Sequence, residues 1–399
     1  MLLSEEYCCQ FLALEGEIGM GNRKDLTKGS ILKCLVTIAV PNIGTQLMQM
    51  LYNLTDLFWL GRYGGEGSSL GADMVAASGT AGMFLWFANG LMMIGNLGAN
   101  IGGSHALGRG DQEEARRYSQ HALFMAACLG VLTAVLYLLF RQPLIGFFQI
   151  QEQHVVDAAV TYLSIVALGI PFTYITSVVS GTFHAAGNSR TPFVINAAGL
   201  VGNMVLDPVL ILYADMGVAG AAIATIAAQI LVALLSLAAL CLPRTRPLGS
   251  YSLRGFTVDW RKVRQIVRWS LPVCLETMFF SSLSMIISRF ISAYSVQAIS
   301  VFKVGNQIES LSWLMAKAFS SAMTAFVGQN YGAGQAERIA RGHRSSTFVM
   351  LAWGAIVTLL MVFAGQQIFY FLLPNAAVAP LGADYLKILA ICQIPAMLE

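Results

Sequence analysis

Charge is what this 399-residue chain has least of: Asp, Glu, Lys and Arg make up 11% of it, against 56% for hydrophobic residues. A soluble domain carries roughly 25% charged residues because its surface must meet water, so this chain cannot coat a soluble globule of its size. Histidine is scarce, and His105, His121, His154, His184 and His343 show neither metal-ligand spacing nor the context of a catalytic triad. The seven cysteines are scattered, form no CxxC pair and fall mostly in apolar segments, which reads as small packing residues. There is no Walker motif, which argues against ATP as a drive within the chain. A basic signal peptide is also missing. The first nineteen residues are acidic, at Glu5, Glu6, Glu15 and Glu17, and Met20 followed by Arg23, Lys24 and Lys28 looks the more natural start. No catalytic residue, cofactor or nucleic-acid partner is indicated, so the expectation is a protein that is not an enzyme.

What the chain does have is long apolar runs. Those at 122–140 and 218–242 approach the ~20 residues that cross a bilayer core. Runs set against charged or Gly/Pro/Asn breaks predict helices at 31–61, 72–107, 112–141, 153–186, 191–214, 217–242, 262–294, 297–331 and 335–372, with a last one entering near 378. The fold class is all-α integral membrane; the ten-residue alternation of a membrane barrel is not seen. Most of the 24 basic residues lie at the N-terminus or in every second connection, among them Arg109, Arg116, Arg117, Arg190, Arg244, Arg246, Arg254 and Arg338. The opposite connections carry Arg62 and Arg141. Positive-inside bias then places the N-terminus in the cytoplasm of a multi-pass plasma-membrane protein.

The chain also repeats itself. Gly108, Gly110, Glu113 and Arg117 reappear, at one constant offset, as Gly332, Gly334, Glu337 and Arg341, and Ile170-Pro171 reappears as Ile394-Pro395. Both Gly-x-Gly loops fall on the same side, so the repeats are parallel. The expected organisation is a cytoplasmic N-terminal segment 1–30, a six-helix lobe 31–242, a linker 243–260 and a C-terminal lobe 261–399. The second copy stops just past the counterpart of Pro171, about 70 residues earlier than the first. On that reading it is incomplete from its fourth helix, with about ten helices present out of twelve.

An ionisable side chain inside the bilayer is expensive, so its default reading is functional. Asp56 lies near the outer end of the first helix; Asp207 lies in the fifth, with Asn203 one turn before it. The fifth and sixth helices turn near Met216, about nine residues from both Asp207 and Thr225. These two therefore share one depth, roughly 13 Å in. Two carboxylates, an amide oxygen and a hydroxyl are hard donors suited to Na⁺ or to sharing a proton. The alternative is that they only pair neighbouring helices. In the second unit Glu276, Arg289, Lys303, Glu309 and Lys317 are expected to neutralise one another, with an ionisable site at Glu276 as the sharper reading. Pro41, Pro171 and Pro272 are hinge candidates, or ordinary membrane-helix prolines. Gly95, Gly98 and Gly102 read as close helix packing. Met83, Trp86 and Phe87, with Phe84, Met92 and Met93, are candidate lining for a cavity that takes organic cations.

These stretches resemble the multidrug and toxic compound extrusion (MATE) family, bacterial type. The matching segments are Lys24-Asp25-Leu26-Thr27-Lys28-Gly29-Ser30 leading to Pro41, Tyr52-Asn53-Leu54-Thr55-Asp56, Leu107-Gly108-Arg109-Gly110-Asp111 and Gly187-Asn188-Ser189-Arg190-Thr191-Pro192. Asn203 to Asp207, Gly220 to Thr225, and Gly328-Gln329-Asn330-Tyr331-Gly332-Ala333-Gly334 continue the series. The resemblance implies a twelve-helix, two-lobed exporter that alternates access and exchanges drug-like, often cationic or amphipathic solutes for Na⁺ or H⁺. It implies Asp56, Asn203, Asp207 and Thr225 as the cation site; no further cofactor and a monomer are expected. His184 departs from the basic or amide residue that many members carry there. A flippase for lipid-linked oligosaccharides, which would need a strongly basic cavity, and a non-transporting fragment are the rival expectations.

Overall fold

The computed structural model describes residues 25–60, 63, 69–150, 152–242, 245–248, 256–292, 296–372 and 378–398. Glu5, Glu6, Glu15, Glu17, the Met20 start, Arg23, Lys24, Arg62, Arg244 and Arg254 lie outside the described residues, as does the side chain of Lys303. The described chain is helical, with no strand among its described residues. In order the helices are α1 (Ile31–Leu60), α2 (Ser69–Gly108), α3 (Gln112–Gly146), α4 (Gln153–Ala167), α5 (Ile170–Ala185), α6 (Arg190–Pro208) and α7 (Gly217–Cys241). They continue as α8 (Trp260–Ser292), α9 (Val296–Gly332), α10 (Ala336–Phe363), α11 (Gly365–Leu372) and α12 (Val378–Leu398). Among the described residues eight helices are long and apolar enough to cross a membrane, and α4 with α5 would make a ninth. The chain is thus a multi-pass membrane protein. α9, which carries Glu309 and Lys317, is not among the eight.

Three predicted helices differ from those observed. The single helix expected at 153–186 is broken into α4 and α5, bent by 48°. Pro171 has no N–H to continue the ladder, and the chain passes Leu168–Gly169 through tighter bonds, Leu168 N–H to the Ile165 carbonyl at 3.0 Å and Gly169 N–H to that of Val166 at 2.9 Å. The helix expected at 335–372 breaks at Ala364, leaving the short α11. The helix expected at 191–214 gives way after Pro208 to a π turn, Val209–Tyr213.

The repeated Gly-x-Gly loops share one geometry. After α2, the Asp111 N–H reaches the Ala106 carbonyl at 2.9 Å and the Gly110 N–H that of Leu107 at 3.0 Å. After α9, Gln335 reaches Asn330 at 2.8 Å and Gly334 reaches Tyr331 at 3.1 Å. Both are six-to-one and five-to-two closures of a helix C-terminus, which require a left-handed residue after the cap. Gly110 (φ +81°) and Gly334 (φ +72°) supply it. Asp111 then caps α3 by accepting from the Glu114 N–H at 2.9 Å.

α2 is the central helix, packed against α3, α5, α8 and α9. Its glycines admit those neighbours: a methyl on Gly95 would strike Val178, on Gly98 Ile266 and on Gly102 Tyr118. At the end bearing the Gly-x-Gly loops the seal is tightest. Gly108 lies against the Gln329 backbone, Gly328 against Ser104, and Gly332 against the His105 carbonyl. Gln329 accepts from the Leu26 N–H at 3.0 Å and donates to the Ala185 carbonyl at 2.7 Å, tying the N-terminal strap to α5. Arg338 clamps the strap from α10, donating to Gly29 at 2.8 Å, Lys28 at 3.0 Å and Leu26 at 3.2 Å. Within the strap Thr27 donates to Asp25 from its hydroxyl and its amide, which lowers the Asp25 pKa.

The clamp is testable through a nearby thiol. Cys34 Sγ lies 3.9 Å from the Arg338 guanidinium and 3.5 Å from the Lys28 carbonyl. Arg338→Ala removes charge-assisted bonds worth about 1.5–3 kcal/mol each. It should therefore accelerate alkylation of Cys34, followed by peptide mass spectrometry, by about tenfold or more, with labelling of the remote Cys392 unchanged. An unchanged Cys34 rate would remove the clamp from this account.

Candidate cation site

α1 packs along α6, and α6 packs on α7. Their contact brings together Asp56 on α1, Asn203 and Asp207 on α6 and Thr225 on α7. Only 8%, 0%, 0% and 4% of these residues remain accessible, respectively, so the cluster is dry. Asn203 Nδ2 donates to Asp207 Oδ1 at 3.1 Å, and Thr225 Oγ1 donates to Asp56 Oδ2 at 3.5 Å. The two carboxyl groups lie within reach of one another's charge. Asp56 Oδ1, Asp207 Oδ2 and Asn203 Oδ1 are buried with no hydrogen-bond partner among the described residues. An acceptor left bare in this way costs about 1–3 kcal/mol, more if it is charged. Three bare oxygens among two like charges fit a small cation or a proton, because either supplies the positive charge that the protein withholds.

Local sequence explains the convergence. Pro208 cannot donate to the carbonyl of Met204, and the chain widens into the π turn, closed by the Ala214 N–H on the Val209 carbonyl at 2.8 Å. Such widened turns recur at functional sites. Gly220 on α7 meets this turn where a side chain would strike the Leu210 carbonyl, at 2.6 Å from its first carbon. That close approach sets Thr225 opposite Asp56. At the other end of α6, Asn188 accepts from the N–H groups of Arg190 and Thr191 at 3.1 and 3.2 Å and so caps the helix.

Two residues of this site were not singled out in the sequence. Tyr52, one turn before Asp56, points its hydroxyl into the cluster and has no hydrogen-bond partner there. Tyr162, on α4, is buried beside the same carboxylates and Thr225. The spacing from Asp56 could have revealed Tyr52. Tyr162 joins only through the packing of α4 on α7.

The other candidate residues do not join this cluster. Glu276 is exposed on α8, one turn beyond Pro272. Arg289 donates to the Phe147 carbonyl at 3.3 Å and Gln149 Oε1 at 2.9 Å, Glu309 accepts from the Trp313 indole at 3.4 Å, and Lys317 makes no ion pair among the described residues. Glu309 and Lys317 are two helical turns apart, beyond direct contact. Met83 and Phe87 pack partly buried against the main hydrophobic core, whereas Trp86 is 60% exposed. Pro41 and Pro272 lie inside continuous helices.

A family model described as MatE matches residues 41–209 and 272–399. A probable multidrug resistance protein NorM of Thermotoga maritima is 27% identical over 315 residues, covering 77% of this chain. The chain spans 65% of that relative's length. An FAD transporter of Shewanella oneidensis is 23% identical over 385 residues, covering 91% of this chain and 82% of its own. Among solved structures, an outward-facing multidrug resistance MATE family transporter of the MOP superfamily superposes with a TM-score of 0.82 at 23% identity, over 95% of this chain and 82% of that one. A MOP superfamily transporter from Pyrococcus furiosus gives 0.83 at 22% identity, over the same shares. The solved structures show a common fold, and the family match takes in most of the chain: this protein belongs to the MatE family.

Proposed function

We propose that the protein is a secondary transporter that takes Na⁺ or H⁺ at Asp56, Asn203, Asp207 and Thr225 and exchanges it for a drug-like organic solute. The observation that carries this reading is the set of three bare oxygens in a dry, doubly acidic cluster. The names of the relatives, multidrug resistance proteins and a transporter of FAD, are in keeping with an organic solute. The N-terminus and the Gly-x-Gly loops lie in the cytoplasm on this reading, because the basic connections gather there.

A route from ion to solute runs along α1. Its far half carries Tyr52 and Asp56; its near half, at Leu35, Ile38 and Ala39, packs against Phe319, Ala322 and Phe326 of α9. Pro41 lies between, where it removes one rung of the helix ladder. An ion drawn in by Asp56 and Asp207 pulls the far half of α1 onto α6 and flexes the helix at Pro41. That changes its grip on α9 and the opening between the two groups of helices.

Two measurements test this reading. Saturating Na⁺, or acidification, should raise the thermal midpoint of the purified protein, since 100 Kd of a ligand specific to the native state adds about 2.7 kcal/mol. Asp56→Asn and Asp207→Asn should each abolish that rise; a rise of native size in both variants sinks the site. In proteoliposomes an imposed Na⁺ or H⁺ gradient should drive ethidium export by the native protein and not by Asp207→Asn. Export by that variant at the native rate would contradict the coupling.

A further inference from the structure

α9 has two distinct faces. Ile308, Ser312, Phe319 and Ala322 lie on the side that packs against the C-terminal helices and the near half of α1: Ser312 donates to Gln393 Oε1 at 2.9 Å, and Phe319 packs with Met350 and Met397. Lys317 lies on the opposite side. Residues 321, 328 and 332 fall on that same side, four, eleven and fifteen positions on, and each meets the N-terminal helices. Ser321 hydrogen-bonds His184 Nδ1 of α5 at 3.2 Å, Gly328 lies against Ser104 of α2, and Gly332 against the His105 carbonyl. Lys317 lies one turn further out than Ser321. It is exposed and makes no ion pair among the described residues. It stands about 22 Å from the sealed end, at 1.5 Å per residue. An exposed ammonium on the side of α9 that meets α2 and α5 further along is one that those helices leave uncovered. Trp313, a further turn out on the same side, is half-buried and holds its indole N–H on Glu309.

We infer that the two groups of helices part at this level and that Lys317 and Trp313 form an organic-anion subsite there, which takes an aromatic solute carrying a carboxylate or phosphate. This rests on the export reading only for its consequence, the movement of such a solute across the membrane. The binding itself follows from the placement of α9. A lone cation at membrane depth is costly unless it is matched, and an anionic ligand matches it, while the flat face of Trp313 receives a ring. His184, beside Ser321, adds a polar edge to the subsite. The solutes accepted then include anions and zwitterions as well as the cationic compounds expected from the sequence.

The test uses the full chain in uncharged detergent, with 2-naphthoate and 2-naphthyltrimethylammonium as a matched pair of probes, read by tryptophan fluorescence. Lys317→Met should weaken 2-naphthoate binding by about tenfold or more. Lys317→Arg should keep it within about threefold of native, and neither change should weaken the ammonium probe. Size-exclusion profiles matching the native protein exclude misfolding, and Lys317→Gln serves if the methionine variant fails to fold. Native-like 2-naphthoate affinity in the neutral variants, or no binding of 2-naphthoate to the native protein, overturns the subsite. Lys317-dependent binding without gradient-driven export would leave the subsite standing and remove the export reading; export with Lys317-independent binding would do the reverse.

Discussion

A carboxylate buried among helices has no water to satisfy it, so its oxygens must be met by donors or by opposite charge. Asp56 and Asp207 share one buried space and, among the described residues, receive only the Thr225 hydroxyl and the Asn203 amide. The protein could have closed the deficit with a lysine or an arginine, as structural ion pairs do. Instead it adds two more oxygens, those of Tyr52 and Asn203, which are also without partners. The balance is tilted toward a mobile positive charge, and the elements around the site keep it tilted. The π turn after Pro208 widens α6, Gly220 lets α7 close on that turn, and Tyr162 of α4 covers the cluster.

The same economy governs the rest of the molecule. Backbone groups at membrane depth are satisfied within helices, so the helices move as units and contacts between them carry the consequences. At the sealed end those contacts are close: glycines of α2 and α9 meet backbone or short side chains, and Gln329 and Arg338 bind the strap at Leu26–Gly29. Toward the other end, α9 carries the exposed Lys317. α1 joins the two regions, with Pro41 between its grip on α9 and its carboxylate. On the proposed function, ion and solute meet different helices, linked through α1 with its Pro41.

Much of this was legible from spacing alone. Counting from the turn near Met216 put Asp207 and Thr225 at one depth, and their hydrogen bonds fall within one buried cluster. The paired Gly-x-Gly loops follow from the repeat, since one helix-ending geometry demands glycine at the same place twice. Other features could not be read so easily. Hydropathy runs unbroken through 153–186 and 335–372, so neither the bend at Leu168–Gly169 nor the break at Ala364 interrupts the pattern of apolar residues. Tyr162 reaches the carboxylates only through tertiary packing. The charges of the second unit invited pairing because they are of both signs, yet Arg289 reaches the Phe147–Gln149 connection and Lys317 makes no ion pair among the described residues. Which way a charge points depends on where the neighbouring helices diverge, and helical periodicity alone does not record that.

The claim at the centre is that positive charge fills the space between Asp56 and Asp207. Equilibrium binding of ²²Na⁺ to the purified protein across a pH series, with proton uptake followed in parallel, tests it most directly. The account predicts one cationic occupant per chain, either Na⁺ displaced competitively as protons are added or proton uptake alone, and its loss in the Asp56→Asn, Asp207→Asn double variant. Neither Na⁺ binding nor proton uptake in the native protein, or occupancy unaltered in the double variant, would contradict it.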